Sequence, residues 1–222
     1  MLLRRRVYGF RAQGLRLAQA RRCVLPDAGS SRPAVFLDRD GTISEDVGYL
    51  NDVSQFRMFP FAAGAIRKLN DANLPVIVVT NQSGVGRGFF DEAMVHTVHQ
   101  EMAQQLVAAG AHLTAVYYCP HTSDDDCECR KPKPGMIRQA AREHGVDVAR
   151  SFVVGDRYGD VELAQANGGR GVLVRTGYGE EDLRANGAGW PRQPDFVADD
   201  LADAVDWILK SVATSADLRQ AR

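Results

Sequence analysis

Two aspartates separated by one residue, Asp38 and Asp40, are the residues of this chain whose spacing points most directly to chemistry. They follow the short apolar run 34–37 and precede Gly41 and Thr42. Such a run is typical of a buried strand, so the carboxylates are predicted to lie where that strand ends. Because an unpaired buried charge is costly to desolvate, the pair needs a partner. A hard divalent cation such as Mg²⁺ takes oxygen ligands of this kind.

Two simpler interpretations of this segment are weaker. A solvated surface turn accounts for aspartate and glycine, but not for an apolar strand that runs directly into them. A calcium loop of the EF-hand type requires glycine at its sixth position and glutamate at its twelfth. Counted from Asp38, those positions hold Ile43 and Tyr49. We therefore favour a Mg²⁺ site at a strand end.

Length and charge narrow the class of protein. The chain has 222 residues, of which 45% are hydrophobic and 25% charged, as in ordinary globular proteins. Residues 1–33 contain eight arginines and one acid. The rest of the chain therefore holds 19 of the 27 basic and 27 of the 28 acidic residues, which gives it a net charge of −8. An acidic body argues against a broad nucleic-acid surface. We expect a cytoplasmic monomer with neither a nucleic-acid nor a membrane partner.

The N-terminal segment differs in composition from the rest. Residues 1–33 are rich in arginine and poor in acids, which is typical of an organelle transit peptide but also fits a disordered extension or translated upstream sequence. We predict a disordered extension over 1–33, a domain over 34–213 and a tail over 214–222. Residues 26–33, which contain proline, glycine and serine, are predicted to form a linker.

Apolar runs alternate with helical patterns along the body. Strands are predicted over 34–37, 75–80, 113–118, 152–154, 171–174 and 195–197. Helices are predicted over 62–72, from Asp91, from Pro134 to Gly145, near 159–167 and near 200–210. This alternation predicts an α/β fold, a Rossmann-like parallel sheet with helices on both faces.

Polar residues follow several of the predicted strands. Carboxylates follow the first and fourth strands, a hydroxyl and an amide end the second, and two cations come after the third. These residues are Asp38, Asp40, Thr80, Asn81, Arg130, Lys131 and Asp156. Because the carboxyl ends of parallel strands share one edge, we expect them to converge. The carboxylates fit one Mg²⁺, and the remaining groups fit the oxygens of a phosphoryl group.

This set of groups favours phosphoryl transfer, which depends mainly on positioning and charge neutralisation. One carboxylate can attack phosphorus and form an aspartyl-phosphate. The other can protonate the leaving alkoxide and then activate water. Spacing alone does not decide which of Asp38 and Asp40 is the nucleophile.

A second cluster contains softer ligands. Cys119, His121, Cys127 and Cys129 lie within eleven residues, and four such ligands predict a closed, structural Zn²⁺ site. A disulfide would leave His121 unexplained and would suit a secreted protein. The predicted role of zinc is to fold a loop that has almost no apolar residues and that leads directly into the cations at 130–131. Cys23 is predicted to take no part.

The motifs at 38–42, 80–81, 131 and 155–156 resemble, in order and spacing, the four motifs of the haloacid dehalogenase superfamily, phosphatase branch. The resemblance extends from residue 34 to about 175. It implies a fold without a large cap domain, with Asp38 as nucleophile and Asp40 as general acid and base. It also implies that Thr80 and Lys131 hold the phosphoryl group.

The same resemblance implies the metal ligands. Mg²⁺ would be coordinated by Asp38, the backbone carbonyl of Asp40, and Asp156. Asp160 resembles the second acid of the fourth motif and is expected to orient the site rather than to bind the ion.

The cysteine loop and its surroundings resemble the D-glycero-D-manno-heptose 1,7-bisphosphate 7-phosphatases, which implies a heptose precursor of lipopolysaccharide as substrate. The resemblance is carried by the zinc loop leading into 130–136 and by segments 46–49, 80–84 and 87–88. It implies substrate contacts from Asp46, Val47, Gly48, Tyr49, Asn81, Gln82, Ser83, Arg130 and Arg157. Arg157 stands where the family pattern has lysine.

Three alternatives remain open. Only five residues separate His121 from Cys127, and this short form also resembles histidinol-phosphate phosphatase. A DNA 3′-phosphatase shares the motif at 80–82 but needs a basic groove. A zinc-stabilised interaction module without enzymatic activity would leave the aspartates without a purpose.

The histidines at 96 and 99, three apart on a predicted helix, are expected to belong to a solvated or packed face rather than to a metal site.

Overall fold

The computed structural model describes the backbone of residues 8–10 and 31–220 and the side chains of residues 31–214. These residues form one seven-stranded sheet in the order β1-β4-β3-β2-β5-β6-β7. The strands are β1 (Tyr8–Phe10), β2 (Val35–Leu37), β3 (Val76–Asn81), β4 (Ala115–Cys119), β5 (Phe152–Gly155), β6 (Arg170–Val174) and β7 (Phe196–Ala198). Strands β2 to β7 are parallel to their neighbours, as the alternating pattern predicted, and β1 is antiparallel to β4.

Helices cover both faces of the sheet. They are α1 (Ala62–Asp71), α2 (Glu92–Ala108), α3 (Gly135–His144), α4 (Tyr158–Ala166), α5 (Gly179–Asn186) and α6 (Leu201–Gln220). One apolar core joins α1, α2 and α6 to one face, which includes Val35 and Leu37. The other core joins α3 and α4 to the opposite face, which includes Phe36. Because successive strand residues point to opposite faces, a parallel strand covered on both sides is apolar throughout.

The chain changes direction across the sheet at β2. Strands β3 and β4 are added on one side of β2, and the chain then crosses to add β5, β6 and β7 on the other. Leu37 is level with Val78 of β3 and with Val154 of β5. The three central strands therefore end together beside a topological switch point, which is where open α/β sheets bind ligands.

The structure differs from the sequence prediction at some element ends and in two elements that were not predicted, β1 and α5. Helix α5 was not predicted, because its eight residues begin and end with glycine or polar residues and have little apolar periodicity. Helix α6 continues to Gln220, through part of the segment predicted as a tail, since residues 211–220 contain neither glycine nor proline. Among the described residues, no helix is both long and apolar enough to cross a bilayer.

The N-terminal segment was predicted to be disordered. Most of it lies outside the described residues, but Tyr8–Phe10 form β1 and pair with Val116 to Tyr118 of β4. This pairing satisfies backbone groups that a parallel edge strand would otherwise leave open. Near the other end of the segment, Arg32 forms an isolated bridge with Val146. The predicted domain boundary at residue 34 and the role of the extension stay predictions.

Helix α2 is capped at its N-terminus by Asp91, the residue from which the sequence predicted this helix. The Asp91 carboxylate accepts a hydrogen bond from the Met94 N–H at 2.9 Å. We expect Asp91→Ala to lower the free energy of unfolding by about 1 kcal/mol in urea titrations, because a backbone donor loses its acceptor. Asp91→Asn keeps an oxygen at this position and serves as the control. Equal stability of the alanine and wild-type proteins would contradict the cap.

Candidate active site

The carboxyl ends of β2, β3 and β5 open into a cavity of about 470 Å³. Nearly all the residues predicted to act on a substrate or to bind magnesium line it. They are Asp38, Asp40, Asp46, Gly48, Tyr49, Thr80, Asn81, Gln82, Ser83, Arg130, Lys131, Asp156 and Arg157. Val47, which was expected to contact substrate, is 45% exposed and does not line the cavity. Side chains separated by more than one hundred residues therefore share one site.

Lys131 is the cation at the centre of this cavity. Its buried ammonium group lies 2.8 Å from a carboxylate oxygen of Asp38 and 2.6 Å from one of Asp160. Burial lowers the pKa of Lys131, but the two carboxylates outweigh burial and hold that pKa above its usual value. Lys131 is therefore a permanent positive charge next to the predicted nucleophile.

Asp156 lies in a space that only glycine neighbours allow. A Cβ atom on Gly41, whose φ is +73°, would lie 2.2 Å from the Asp156 Oδ2 atom, and one on Gly177 would lie 2.3 Å from it. The same oxygen accepts a hydrogen bond from the Tyr178 N–H at 2.9 Å. Burial, followed by the charge of Asp38, raises the pKa of Asp156 to about 8. A carboxylate is thus held where its negative charge is unfavourable unless a cation is present.

The carboxylates of Asp38, Asp156 and Asp160 fit a divalent cation. One oxygen from each lies within 4.8 Å of the others, and the single ammonium of Lys131 does not balance three negative charges. Burial raises the pKa of Asp160 to about 6 despite its contact with Lys131. Oxygen donors with an excess of negative charge are what Mg²⁺ requires. The sequence predicted Asp160 to be an orienting residue, and its ion pair with Lys131 is compatible with that role.

Asp40 has hydrogen-bond partners different from those of the acidic cluster. The Arg39 guanidinium donates to both of its oxygens, from Nε at 2.9 Å and from Nη2 at 2.7 Å. Gln82 donates from Nε2 to the Asp40 Oδ2 atom at 2.9 Å and to the Thr80 hydroxyl at 3.0 Å. The two predicted catalytic carboxylates therefore have different surroundings, one beside Lys131 and one bound by neutral and cationic N–H donors.

Groups suited to phosphate surround these carboxylates. The Asn81 side chain brackets the backbone of Lys131, accepting from its N–H at 3.0 Å and donating to its carbonyl at 3.3 Å. The Arg157 guanidinium lies 3.5 Å from the centre of the Tyr178 ring, which fixes this cation by stacking. Phe90 also lines the cavity.

Sequence reasoning missed several residues of this site. Arg39 binds Asp40, Tyr178 supports Arg157, and Phe90 forms part of the wall. The position of Arg39 between the two aspartates was a usable signal. No pattern in the sequence indicated Tyr178 or Phe90, because each meets the site only through the folding of a distant loop.

The predicted zinc ligands form a compact cluster beside this cavity. The Cys119 sulfur lies 3.3 Å from the Cys129 sulfur and 3.8 Å from the Cys127 sulfur. The His121 Nδ1 atom lies 3.2 Å from the Cys129 sulfur and 3.6 Å from the Cys119 sulfur. Ligands about 2.3 Å from one ion form a tetrahedron with edges of about 3.8 Å. The hydrogen bond with Cys119 lowers the pKa of Cys129, which favours a thiolate there. The four residues could hold zinc.

The crowded carboxylates predict an unusual response to Asp156→Asn. Because the raised pKa of Asp156 disfavours its charged form in the folded state, the metal-free wild type should lose stability as the pH rises from about 4 to about 8. In EDTA we expect Asp156→Asn to melt at a higher temperature than wild type, with a gain that grows over this range. We also expect the variant to lose most of the stabilisation that Mg²⁺ gives wild type.

The matched control is Glu162→Gln, which removes an exposed carboxylate from α4. Thermal melts with and without Mg²⁺ would compare the three proteins. A metal-free Asp156→Asn protein that melts below wild type at pH 8, or that keeps the full Mg²⁺ response, would contradict the cation site.

The cysteine cluster predicts that metal content and stability are linked. Cys127→Ala removes a ligand from a loop whose folding depends on the cluster, so we expect loss of bound zinc and a fall of roughly 2 kcal/mol or more in unfolding free energy. Elemental analysis and urea titration measure the two effects. Ser123→Ala, an exposed change in the same loop, should affect neither. A stable, zinc-free Cys127→Ala protein would show that the cluster has no structural role.

Comparison with known proteins identifies the family. A family model described as "HAD-hyrolase-like" matches residues 128–204. The D-glycero-D-manno-heptose-1,7-bisphosphate 7-phosphatase of Thermosynechococcus vestitus is 40% identical over 193 residues, 82% of this chain and 98% of that protein. The D-glycero-beta-D-manno-heptose-1,7-bisphosphate 7-phosphatase of Escherichia coli K12 is 38% identical over 199 residues, 86% of this chain and 94% of that protein.

A solved structure agrees with these relatives. The D,D-heptose 1,7-bisphosphate phosphatase from B. bronchiseptica, crystallised with magnesium and phosphate, is 35% identical and superposes with a TM-score of 0.74. The match covers 81% of this chain and 99% of that one. The resemblance predicted from the four motifs and the zinc loop is confirmed. The chain belongs to the heptose-bisphosphate phosphatase family of haloacid dehalogenase-like hydrolases, and it is an enzyme of the phosphoric monoester hydrolase class.

Proposed function

We propose that this protein hydrolyses the 7-phosphate of D-glycero-D-manno-heptose 1,7-bisphosphate through an aspartyl-phosphate on Asp38. The observation that carries the proposal is the buried Lys131 ammonium between Asp38 and Asp160, with Asp156 in the same cavity. A carboxylate, a fixed cation and a cation-binding acidic cluster are together the parts that phosphoryl transfer requires. The relatives that carry this substrate in their names span most of the chain.

Asp38 is placed to attack phosphorus. One of its oxygens accepts the Arg39 backbone N–H at 2.7 Å and the other meets Lys131 at 2.8 Å, so the carboxylate is fixed at both atoms. In the first step an Asp38 oxygen forms a bond to phosphorus while the bond from phosphorus to the sugar oxygen breaks. Lys131 is available to neutralise charge on the transferring group. Its position also limits repulsion between the nucleophile and an anionic substrate.

Asp40 handles the proton in both steps. In the first it gives a proton to the sugar alkoxide, so that a neutral alcohol leaves. In the second it takes a proton from water, whose oxygen attacks the phosphorus of the aspartyl-phosphate and releases inorganic phosphate and free Asp38. Gln82 connects Asp40 to the Thr80 hydroxyl, which we place on the transferring phosphoryl group together with Lys131.

The metal assignments complete the proposal. Asp38, Asp156 and the backbone carbonyl of Asp40 would hold Mg²⁺, with Asp160 orienting Lys131. When bound, Mg²⁺ neutralises the negative charge shared by the nucleophile and the phosphoryl oxygens. The cluster at Cys119, His121, Cys127 and Cys129 would hold a structural Zn²⁺. Because Cys129 directly precedes Arg130, that cluster fixes the start of the segment carrying both cations.

Two guanidinium groups favour a bisphosphate over histidinol phosphate. Arg130 and the stacked Arg157 line the same cavity as the Asp38–Lys131 pair. Guanidinium groups bind phosphate bidentately, so they suit the second phosphate of a sugar bisphosphate. Histidinol phosphate instead offers an ammonium group, which they would repel. The acidic body and the confined cavity likewise disfavour a 3′-phosphorylated DNA end. We infer a cytoplasmic monomer that acts on the free sugar phosphate.

The test is a phosphate-release assay on four substrates with and without Mg²⁺. The substrates are the two anomers of heptose 1,7-bisphosphate, histidinol phosphate and a 3′-phosphorylated oligonucleotide. We expect one or both heptose anomers to be preferred over the other two substrates by at least about a hundredfold in kcat/KM, the discrimination that a missed charged contact supports. Activity should require Mg²⁺.

Asp38→Asn and Glu162→Gln are the paired variants for this assay. Asp38→Asn keeps the shape of the side chain but removes the charge of the attacking oxygen, so we expect no measurable turnover from a folded protein. Glu162→Gln, an exposed change on α4, should retain wild-type rates. Substantial turnover by Asp38→Asn would rule out Asp38 as nucleophile, and a preference for histidinol phosphate would replace the proposed substrate.

A further inference from the structure

His99 is a buried histidine of α2 that the proposed reaction does not use. It is 3% exposed, and its Nε2 atom lies 3.3 Å from the Nη1 atom of Arg39. The sequence predicted only a solvated or packed face for this histidine. In the structure, His99 contacts Arg39, a residue of the first aspartate motif that lies sixty positions earlier in the chain. The His99 ring also lies next to the Tyr118 ring.

Arg39 links His99 to Asp40. Its side chain is 2% exposed, and a buried guanidinium is costly unless its N–H groups are matched. Nε and Nη2 form the fork on Asp40, Nη2 also donates to the Gln82 Oε1 atom at 3.1 Å, and Nη1 meets His99. The Nε and Nη2 atoms of Arg39 therefore face the Asp40 carboxylate, while Nη1 contacts His99 of α2.

Packing alone does not explain a histidine at position 99. Burial first, and then the nearby charges of Arg39 and His96, lower its pKa well below the usual value, so the ring is neutral. An Arg39 N–H can only donate to an unprotonated Nε2, which leaves the proton on Nδ1. That Nδ1 atom has no hydrogen-bond partner among the side chains described for residues 31–214. An apolar residue would avoid this cost of roughly 1–3 kcal/mol, so the acceptor at Nε2 is the distinguishing property of histidine here.

We propose that His99 is a positioning residue for proton transfer by Asp40, acting through Arg39. The inference rests on the proposed role of Asp40 in phosphoryl transfer. His99 fixes the plane of the Arg39 guanidinium, and that plane fixes the Asp40 carboxylate through two hydrogen bonds. Without the contact to His99, the Arg39 guanidinium can rotate about its Cδ–Nε bond. The Asp40 carboxylate would then move with it. Small displacements of a catalytic group are enough to slow a reaction severalfold or more.

The test compares an alkyl phosphate with an aryl phosphate in the Mg²⁺-loaded enzyme. An alkoxide leaving group needs a proton from Asp40 during phosphoryl transfer, whereas the p-nitrophenolate of p-nitrophenyl phosphate leaves without one. For His99→Leu we expect kcat/KM on the best sugar phosphate found for wild type to fall about tenfold, the effect of one lost hydrogen bond to a charged group. On p-nitrophenyl phosphate it should change less than about threefold. The parameter kcat/KM is chosen because it reports the first chemical step rather than the hydrolysis of the aspartyl-phosphate.

Two further variants separate positioning from packing. His99→Gln places an amide oxygen near the position of Nε2 and should recover most of the sugar-phosphate activity. Val98→Ala creates a cavity at a buried apolar position of the same helix, and valine has no group that can accept a hydrogen bond from Arg39. This variant should lower stability but leave the ratio of the two kcat/KM values at the wild-type level. These comparisons use p-nitrophenyl phosphate and the best sugar phosphate found for wild type, so they remain informative if the proposed heptose substrate is replaced by another sugar phosphate.

Three results would overturn the proposal. They are an equal loss on both substrates for His99→Leu, an unchanged rate on the sugar phosphate, or a failure of His99→Gln to recover activity although the protein is folded. If His99→Leu does not fold, His99→Gln and His99→Asn still give the comparison, because asparagine is too short to reach Arg39 and should show the selective loss.

Discussion

The contact between one buried ammonium group and two carboxylates is the interaction on which the rest of the site depends. Lys131 is paired with Asp38 and Asp160, and Asp156 adds a third acid that this single cation does not balance. Like charges at this distance in a buried setting are unfavourable, as the raised pKa of Asp156 shows. The fold accommodates the Asp156 carboxylate because Gly41 and Gly177 leave the space that a Cβ atom would fill. The resulting demand for a divalent cation is built into the site before any substrate enters.

Lys131 can take this place only because a loop with few apolar residues is held in position. The cysteine and histidine cluster lies at the start of the segment that carries Arg130 and Lys131, and the side chain of Asn81 grips the Lys131 backbone from β3. A segment without apolar side chains gains little from burial. The cysteine and histidine cluster, which could hold a metal ion, and the hydrogen bonds from Asn81 provide the constraint instead. They connect the cluster to the cavity.

The two aspartates of the first motif, which are one residue apart, have different surroundings. Asp38 faces Lys131 and the acidic cluster, whereas Asp40 is bound by Arg39 and Gln82. Different surroundings of two carboxylates can divide their roles, as in the proposed assignment of one as nucleophile and the other as proton carrier. Residue 39 lies between them in sequence, and its guanidinium is anchored by His99 of α2. The network therefore extends the catalytic motif into a helix that the motif does not contain.

The sequence determined the parallel strands of this protein, the polar residues at their ends and the cysteine cluster. Apolar runs followed by Asp38, Thr80 and Asp156 indicated parallel strands whose polar ends share one edge, because strand burial and strand direction leave a readable pattern. The spacing of Cys119 and Cys129 similarly indicated a metal cluster, since soft ligands so close together have few other uses. Only the tertiary structure decided which distant residues complete the site. Tyr178 beneath Arg157, Phe90 in the wall and His99 behind Arg39 arise from loop paths and helix packing, and long-range contacts of this kind leave no local periodicity or motif.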